Sequence, residues 1–124
     1  MKEKIKKQNL KAEFYIAEKC FIAELSRSAD DPDVSIARAR VEPGVITRRH
    51  RLKGITERYY IVSGRGLVEI GDLPPQEVNP GDVVWIPPMC PQRITNIGKD
   101  DLIFLAICSP RYTQKAYEDI ETDD

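Results

Sequence analysis

The middle of the chain alternates. Ser35-Ile-Ala-Arg-Ala-Arg-Val41 sets small or apolar residues against arginines, the period-two pattern of a strand with one face buried, and runs into a turn at Glu42-Pro43-Gly44. Glu57 to Val62 is rich in Tyr, Ile and Val, and Ser63-Gly64-Arg65-Gly66 interrupts it before Leu67 to Ile70, so the two runs read as a hairpin. After the Gly71 to Pro75 loop come a short strand at Gln76 to Val78 and the turn Asn79-Pro80-Gly81-Asp82. An apolar strand, Val83 to Ile86, is stopped by Pro87-Pro88. Arg93 to Ile97 and Leu102 to Cys108 are two more strands, separated by Gly98-Lys-Asp-Asp101. Upstream, Ala12 to Leu25 carries Phe14, Tyr15, Ile16, Phe21, Ile22 and Leu25, an apolar segment suited to extending a sheet edge. Many short strands with Pro and Gly at the breaks predict an all-β antiparallel sandwich or barrel. Helical pattern is confined to the ends, a turn or two in Met1 to Ala12 and another in Thr113 to Ile120, with the acidic tail Glu118 to Asp124 read as frayed.

Composition narrows the class. The 124 residues, without internal repeat or linker, are expected to form one domain over 1–124, and 41% hydrophobic with 31% charged residues is ordinary for a globular protein. A net charge of −1 gives no electrostatic reason to expect nucleic acid or an anionic membrane as partner. No apolar run approaches the ~18 residues of a membrane-spanning helix, and the basic start Met1-Lys-Glu-Lys-Ile-Lys-Lys is followed by no apolar signal core. Cytoplasmic residence is the resulting expectation. Three cysteines without CxxC spacing support neither a disulfide framework nor a thiolate zinc site, and Cys20 and Cys108 read as buried thiols. Gly64-Arg-Gly66 lacks the rest of a dinucleotide fingerprint, and a nucleophilic Cys90 would have only His50 as its base.

The candidate chemistry gathers around His50, the lone histidine. Gly44, His50, Glu57 and Gly64 stand at the gaps of G-x5-H-x-H-x4-E-x6-G, and Gly81, Pro87 and Asn96 at those of G-x5-P-x-G-x2-H-x3-N. In this frame, which spans about residues 35–108, the chain resembles the cupin family. The resemblance implies a double-stranded β-helix, or jelly roll, with a cavity lined from both sheets. It also implies one divalent metal (Fe, Mn, Ni or Zn) held by the motif histidines and glutamate. The chain departs from the pattern at three places: Leu52 and Gln92 stand where histidines are expected, and Met89 replaces a glycine. His50 and Glu57 inherit the ligand role, Leu52 can coordinate nothing, and Gln92 offers a neutral amide oxygen. His50, Glu57 and Gln92 are therefore a metal set short of strong ligands.

Two functions follow. One is a small-molecule-binding barrel in which His50, Glu57, Gln92 and Tyr59 form a polar floor. The other is a metal-dependent isomerase, lyase or dioxygenase anchored on His50 and Glu57. Tyr59 shares the parity of Glu57 and points inward, either orienting a ligand or serving as a core residue. Arg48 shares the parity of His50, so it is the arginine placed to meet an anionic ligand at the barrel mouth. The competing reading puts the arginines in ion pairs on solvated faces. Cys90, at the parity of Gln92, is a candidate for the same mouth. Trp85 is read as core or subunit-interface packing, or as a stacking surface for a ligand. Small cupins assemble as dimers through edge strands, so a homodimer is expected here.

Overall fold

Glycine and proline cut the chain where alternation stops, and the pieces between pair as strands. The computed structural model describes residues 1–122. They form β1 (Phe14–Ile16), β2 (Cys20–Ser26), β3 (Ser35–Val41), β4 (His50–Leu52), β5 (Thr56–Ser63), β6 (Gly66–Ile70), β7 (Gln76–Val78), β8 (Val83–Ile86), β9 (Gln92–Asn96), β10 (Leu102–Ser109) and β11 (Tyr117–Asp119). Two antiparallel sheets result, ordered β1-β2-β3-β10-β5-β8 and β11-β4-β9-β6-β7. Their facing sides bury Val41, Ile61, Ile86, Ile94 and Leu102, the centre of the core. No described helix is long and apolar enough to cross a membrane.

The ends depart from the helical expectation. Only single 3-10 turns form, at Leu10–Ala12 and Gln114–Ala116. Residues 117–119, expected to be helical and then frayed, instead make β11, which pairs with β4 in the register Tyr117↔Leu52 and Asp119↔His50. The exposed edge of β4 supplies the reason: its unpaired backbone groups gain more from a strand than local propensity gains from a helix. Asp123 and Asp124, the rest of that tail, lie outside the described residues.

Outward arginines settle into ion pairs. Arg40 reaches Glu13 at 2.7 Å, packs over the Phe21 ring and pairs with Asp101, while Arg93 holds Glu69 at 2.7 Å. Trp85 is not core: it is 79% exposed on the outer face of β8, where it lines a surface pocket with Thr56, Arg58 and Pro87.

Two turns show what the motif positions demand. Gly64 has φ +90°, and an added Cβ would lie 2.8 Å from the Asp101 carbonyl oxygen, so only glycine fits there. Met89 stands in a glycine position and keeps the glycine backbone, with φ +66°. The Cys90 N–H donates to Pro87 O at 3.2 Å, closing a turn in which Pro88 is second and Met89 third, the place where a type II turn asks for glycine. Met89→Gly is therefore expected to raise the unfolding free energy by about 1 kcal/mol. The measurement is a higher urea midpoint at unchanged slope. An unchanged or lower midpoint would show that packing of the half-exposed methionine outweighs the backbone strain.

Candidate functional site

Register brings the motif residues together. β4 and β9 set His50 opposite Gln92. On β5, Glu57 and Tyr59 are buried and Tyr60 is exposed, and Glu57 lies opposite Cys108 of β10. The wall also takes residues from outside the motif frame: the tip of the β1–β2 hairpin, Tyr112 and Tyr117. Together they enclose a cavity of about 270 Å³, mainly apolar, with Ile16, Ile22, Ala39 and Phe104 among its lining.

His50 is 3% exposed. Its Nδ1 lies 2.9 Å from the Arg48 carbonyl oxygen, which can only accept, so Nδ1 carries the hydrogen and donates. Nε2 is directed at Glu18, whose Oε1 is 3.6 Å away, and the ring stacks on Tyr117 at 5.2 Å. Glu18 sits in the hairpin turn Ala17-Glu18-Lys19, which a left-handed Lys19 closes (φ +73°). The turn is tied down by the Arg48 N–H donating to Glu18 O at 3.1 Å.

Glu57 Oε2 accepts from the Cys108 thiol at 3.7 Å, while the buried Oε1 makes no full hydrogen bond among the described residues, the Gln92 side chain lying near it. Tyr59 packs on Phe104 and its hydroxyl donates to Gln92 Oε1, leaving Gln92 Nε2 buried with no partner. Gln92 thus stands behind Tyr59 and does not line the cavity. Burial pushes the Glu57 carboxyl up to about 7, with Glu18 adding to the shift and His50 opposing it. Burial, with Asp119 adding, pushes Glu18 up to about 8. Burial also raises the thiol of Cys20 and the hydroxyls of Tyr59, Tyr112 and Tyr117, and Glu18 adds to each of these shifts. The acids crowded around the cavity thus disfavour any further negative charge in it.

Arg48, expected to share this face, points elsewhere. Its guanidinium lies 2.6 Å from Asp119 and holds that carboxyl below its usual range, and Arg48 is not part of the cavity wall. Parity failed because residues 47–49 are not regular strand, so the alternation of β4 does not extend back to Arg48. Cys90 packs against Gly71, away from the mouth, and its thiol donates to Pro91 O at 3.7 Å.

The donor set does not fit a resident divalent metal. Among the described residues no three of His, Cys, Asp or Glu converge in a metal-holding group. Leu52 is packed into an apolar cluster with Ile55 and Cys108, and the Gln92 amide oxygen is already taken by Tyr59. A carboxylate faces the His50 nitrogen that would bind an ion, but among the described residues no third such ligand joins the two. That carboxylate, Glu18, is the residue sequence reasoning missed. Its one signal was a charged pair, Glu18-Lys19, in an otherwise apolar segment.

Two sheets closed over a polar-floored cavity make a double-stranded β-helix. Residues 37–108 match the family described as Cupin domain, and the chain belongs to that family. It is 39% identical over 87 residues, 70% of this chain and 69% of the relative, to the uncharacterized protein MJ1618 of Methanocaldococcus jannaschii. Among solved structures it is similar to Pac13, a Streptomyces nucleoside dehydratase, with TM-score 0.77 and 14% identity over 98% of this chain and 95% of that one. It also resembles a Bacillus subtilis oxalate decarboxylase, with TM-score 0.76 and 22% identity, over 90% of this chain and 30% of the decarboxylase. Those two likenesses are of fold.

Proposed function

We propose that this cupin binds a small molecule inside the barrel, an apolar body against the Ile16, Ile22 and Phe104 side and a polar head against Glu57, His50 and Glu18. The carrying observation is that ionisable groups from both sheets, buried His50 and Glu57 and half-buried Glu18, line one apolar cavity of about 270 Å³. That volume exceeds the ~150 Å³ that holds a benzene ring. Gln92 stands behind this wall, holding the Tyr59 hydroxyl and lying beside Glu57.

The test is a fragment screen followed by NMR, with the ring signal of the lone histidine as reporter. Ring-sized fragments with a polar head are expected to shift His50, Tyr59 and Tyr117. Shifts confined to the outer faces of the sheets would reject the reading. The competing function, a metal-dependent isomerase, lyase or dioxygenase, is disfavoured by the donor geometry. Metal analysis of protein purified without a histidine tag separates the two. One equivalent of Fe, Mn, Ni or Zn that His50→Ala loses would restore the metal reading.

The proposal includes a homodimer. β8 ends its sheet with an unpaired edge, and Val83 (54% exposed) and Trp85 lie on its outer face, next to exposed Tyr60 and Val62 of β5. Light scattering is expected to give twice the 14.1 kDa chain mass, and Trp85→Glu to give a monomer. A monomeric wild type would reject it.

A further inference from the structure

We propose that the ligand's head is an ammonium group, a primary or secondary amine on an apolar body, and that Glu18 sets this preference. The inference rests on the cavity being a ligand site and adds the charge its occupant carries.

The charges in the wall are unbalanced. Glu18, Glu24 and Glu57 line the cavity, and Arg27 is the one arginine or lysine among the described lining residues. Arg27 is spoken for: its guanidinium lies 3.5 Å from Glu24 and over the Tyr112 ring. The other arginines near the barrel face outward to acids, Arg40 to Glu13, Arg48 to Asp119 and Arg93 to Glu69. What remains inside is two carboxyl groups and one imidazole, and the imidazole is directed at Glu18. Glu57 keeps a buried oxygen that makes no full hydrogen bond among the described residues, the Gln92 side chain lying near it.

An ammonium head answers this arrangement on three counts. It supplies up to three donors in a compact group, and a positive charge beside Glu18 and Glu57 favours their ionised forms, so the N⁺–H···O⁻ bonds made there are shorter and stronger than neutral ones. The rings of Tyr59, Phe104 and Tyr117 line the same space and offer π faces to a cation. A carboxylate or phosphate head would instead meet Glu18 and Glu57 with no guanidinium to receive it. Glu18 is the adjustable member, because it sits on a hairpin tip, whereas Glu57 is fixed within β5 between β8 and β10.

The test uses three ring-sized probes of matched shape at neutral pH: benzylamine, benzyl alcohol and benzoate. Binding is measured by calorimetry and by the His50 ring signal. Benzylamine is expected to bind at least about tenfold tighter than benzyl alcohol, with benzoate undetected. Glu18→Gln should bring the amine-to-alcohol ratio close to one. Equal or tighter binding of the alcohol or of benzoate by the wild type overturns the ammonium preference while leaving the cavity a ligand site. An unchanged ratio in Glu18→Gln overturns the role of Glu18. Failure of every probe to move the His50 signal sinks both this inference and the ligand-site reading.

Discussion

Asn96→Leu is expected to lower stability by about 3–4 kcal/mol, since each buried group left without a partner costs roughly 1–3 kcal/mol. The side chain is 1% exposed. Its Nδ2 donates to Val41 O and Asp100 O, both at 2.8 Å, and its Oδ1 accepts from the Gly98 N–H at 2.9 Å. One residue thus ties the end of β3, the end of β9 and the turn leading to β10. Leucine fills a similar volume and satisfies none of the three backbone groups. Urea unfolding at unchanged slope is the measurement. A loss under about 1 kcal/mol would mean that those groups find water instead.

The second large effect is on pH dependence. Stability is expected to fall as pH rises from about 5 to 8. The folded-state values of Glu57 and Glu18 stand above 4.5, at about 7 and about 8, so across this window the native state binds more protons than the unfolded chain. Stability is then lost as pH rises towards those values. The Glu57 shift alone corresponds to roughly 3 kcal/mol at 1.36 kcal/mol per unit. Groups of the opposite sign act lower: Glu13 and Glu69, held down by Arg40 and Arg93, lose their contribution only as pH falls through their depressed values. A maximum near pH ~5 follows. Glu57→Gln should flatten the descending limb in melting experiments across this range. A variant with the wild-type slope would show that Glu57 is ionised throughout.

Much of the fold was legible because the punctuation is covalent. Gly64, Gly81 and Pro87 act through their own backbone restrictions, so spacing alone reports turns and the strands between them. The inward parity of Glu57, Tyr59 and Ile61 was legible for the same reason, because β5 is a regular strand of eight residues. Parity carried no information where regularity ended, and Arg48 is the case. β11 was illegible because Gln114 to Ile120 favours a helix locally, while the free edge it covers belongs to β4, more than sixty residues earlier. Glu18 was hidden more thoroughly. A single acid in a three-residue turn has no periodic signature, and its significance comes from a histidine across the barrel.

The cavity wall has a divided origin. The barrel frame and the His50, Glu57 and Tyr59 floor fall within residues 37–108, whereas Glu18, Tyr112 and Tyr117 come from the flanking segments. Glu18 sits in a turn and Tyr112 outside any strand, so substitutions at these two positions leave the strand pairing of the frame in place. At these positions the cavity wall can change while the barrel architecture stays, so chains sharing one motif can differ in the wall they present. By the same token, exchanging Glu18 and Tyr112 between homologues alters the cavity wall without redesigning the scaffold.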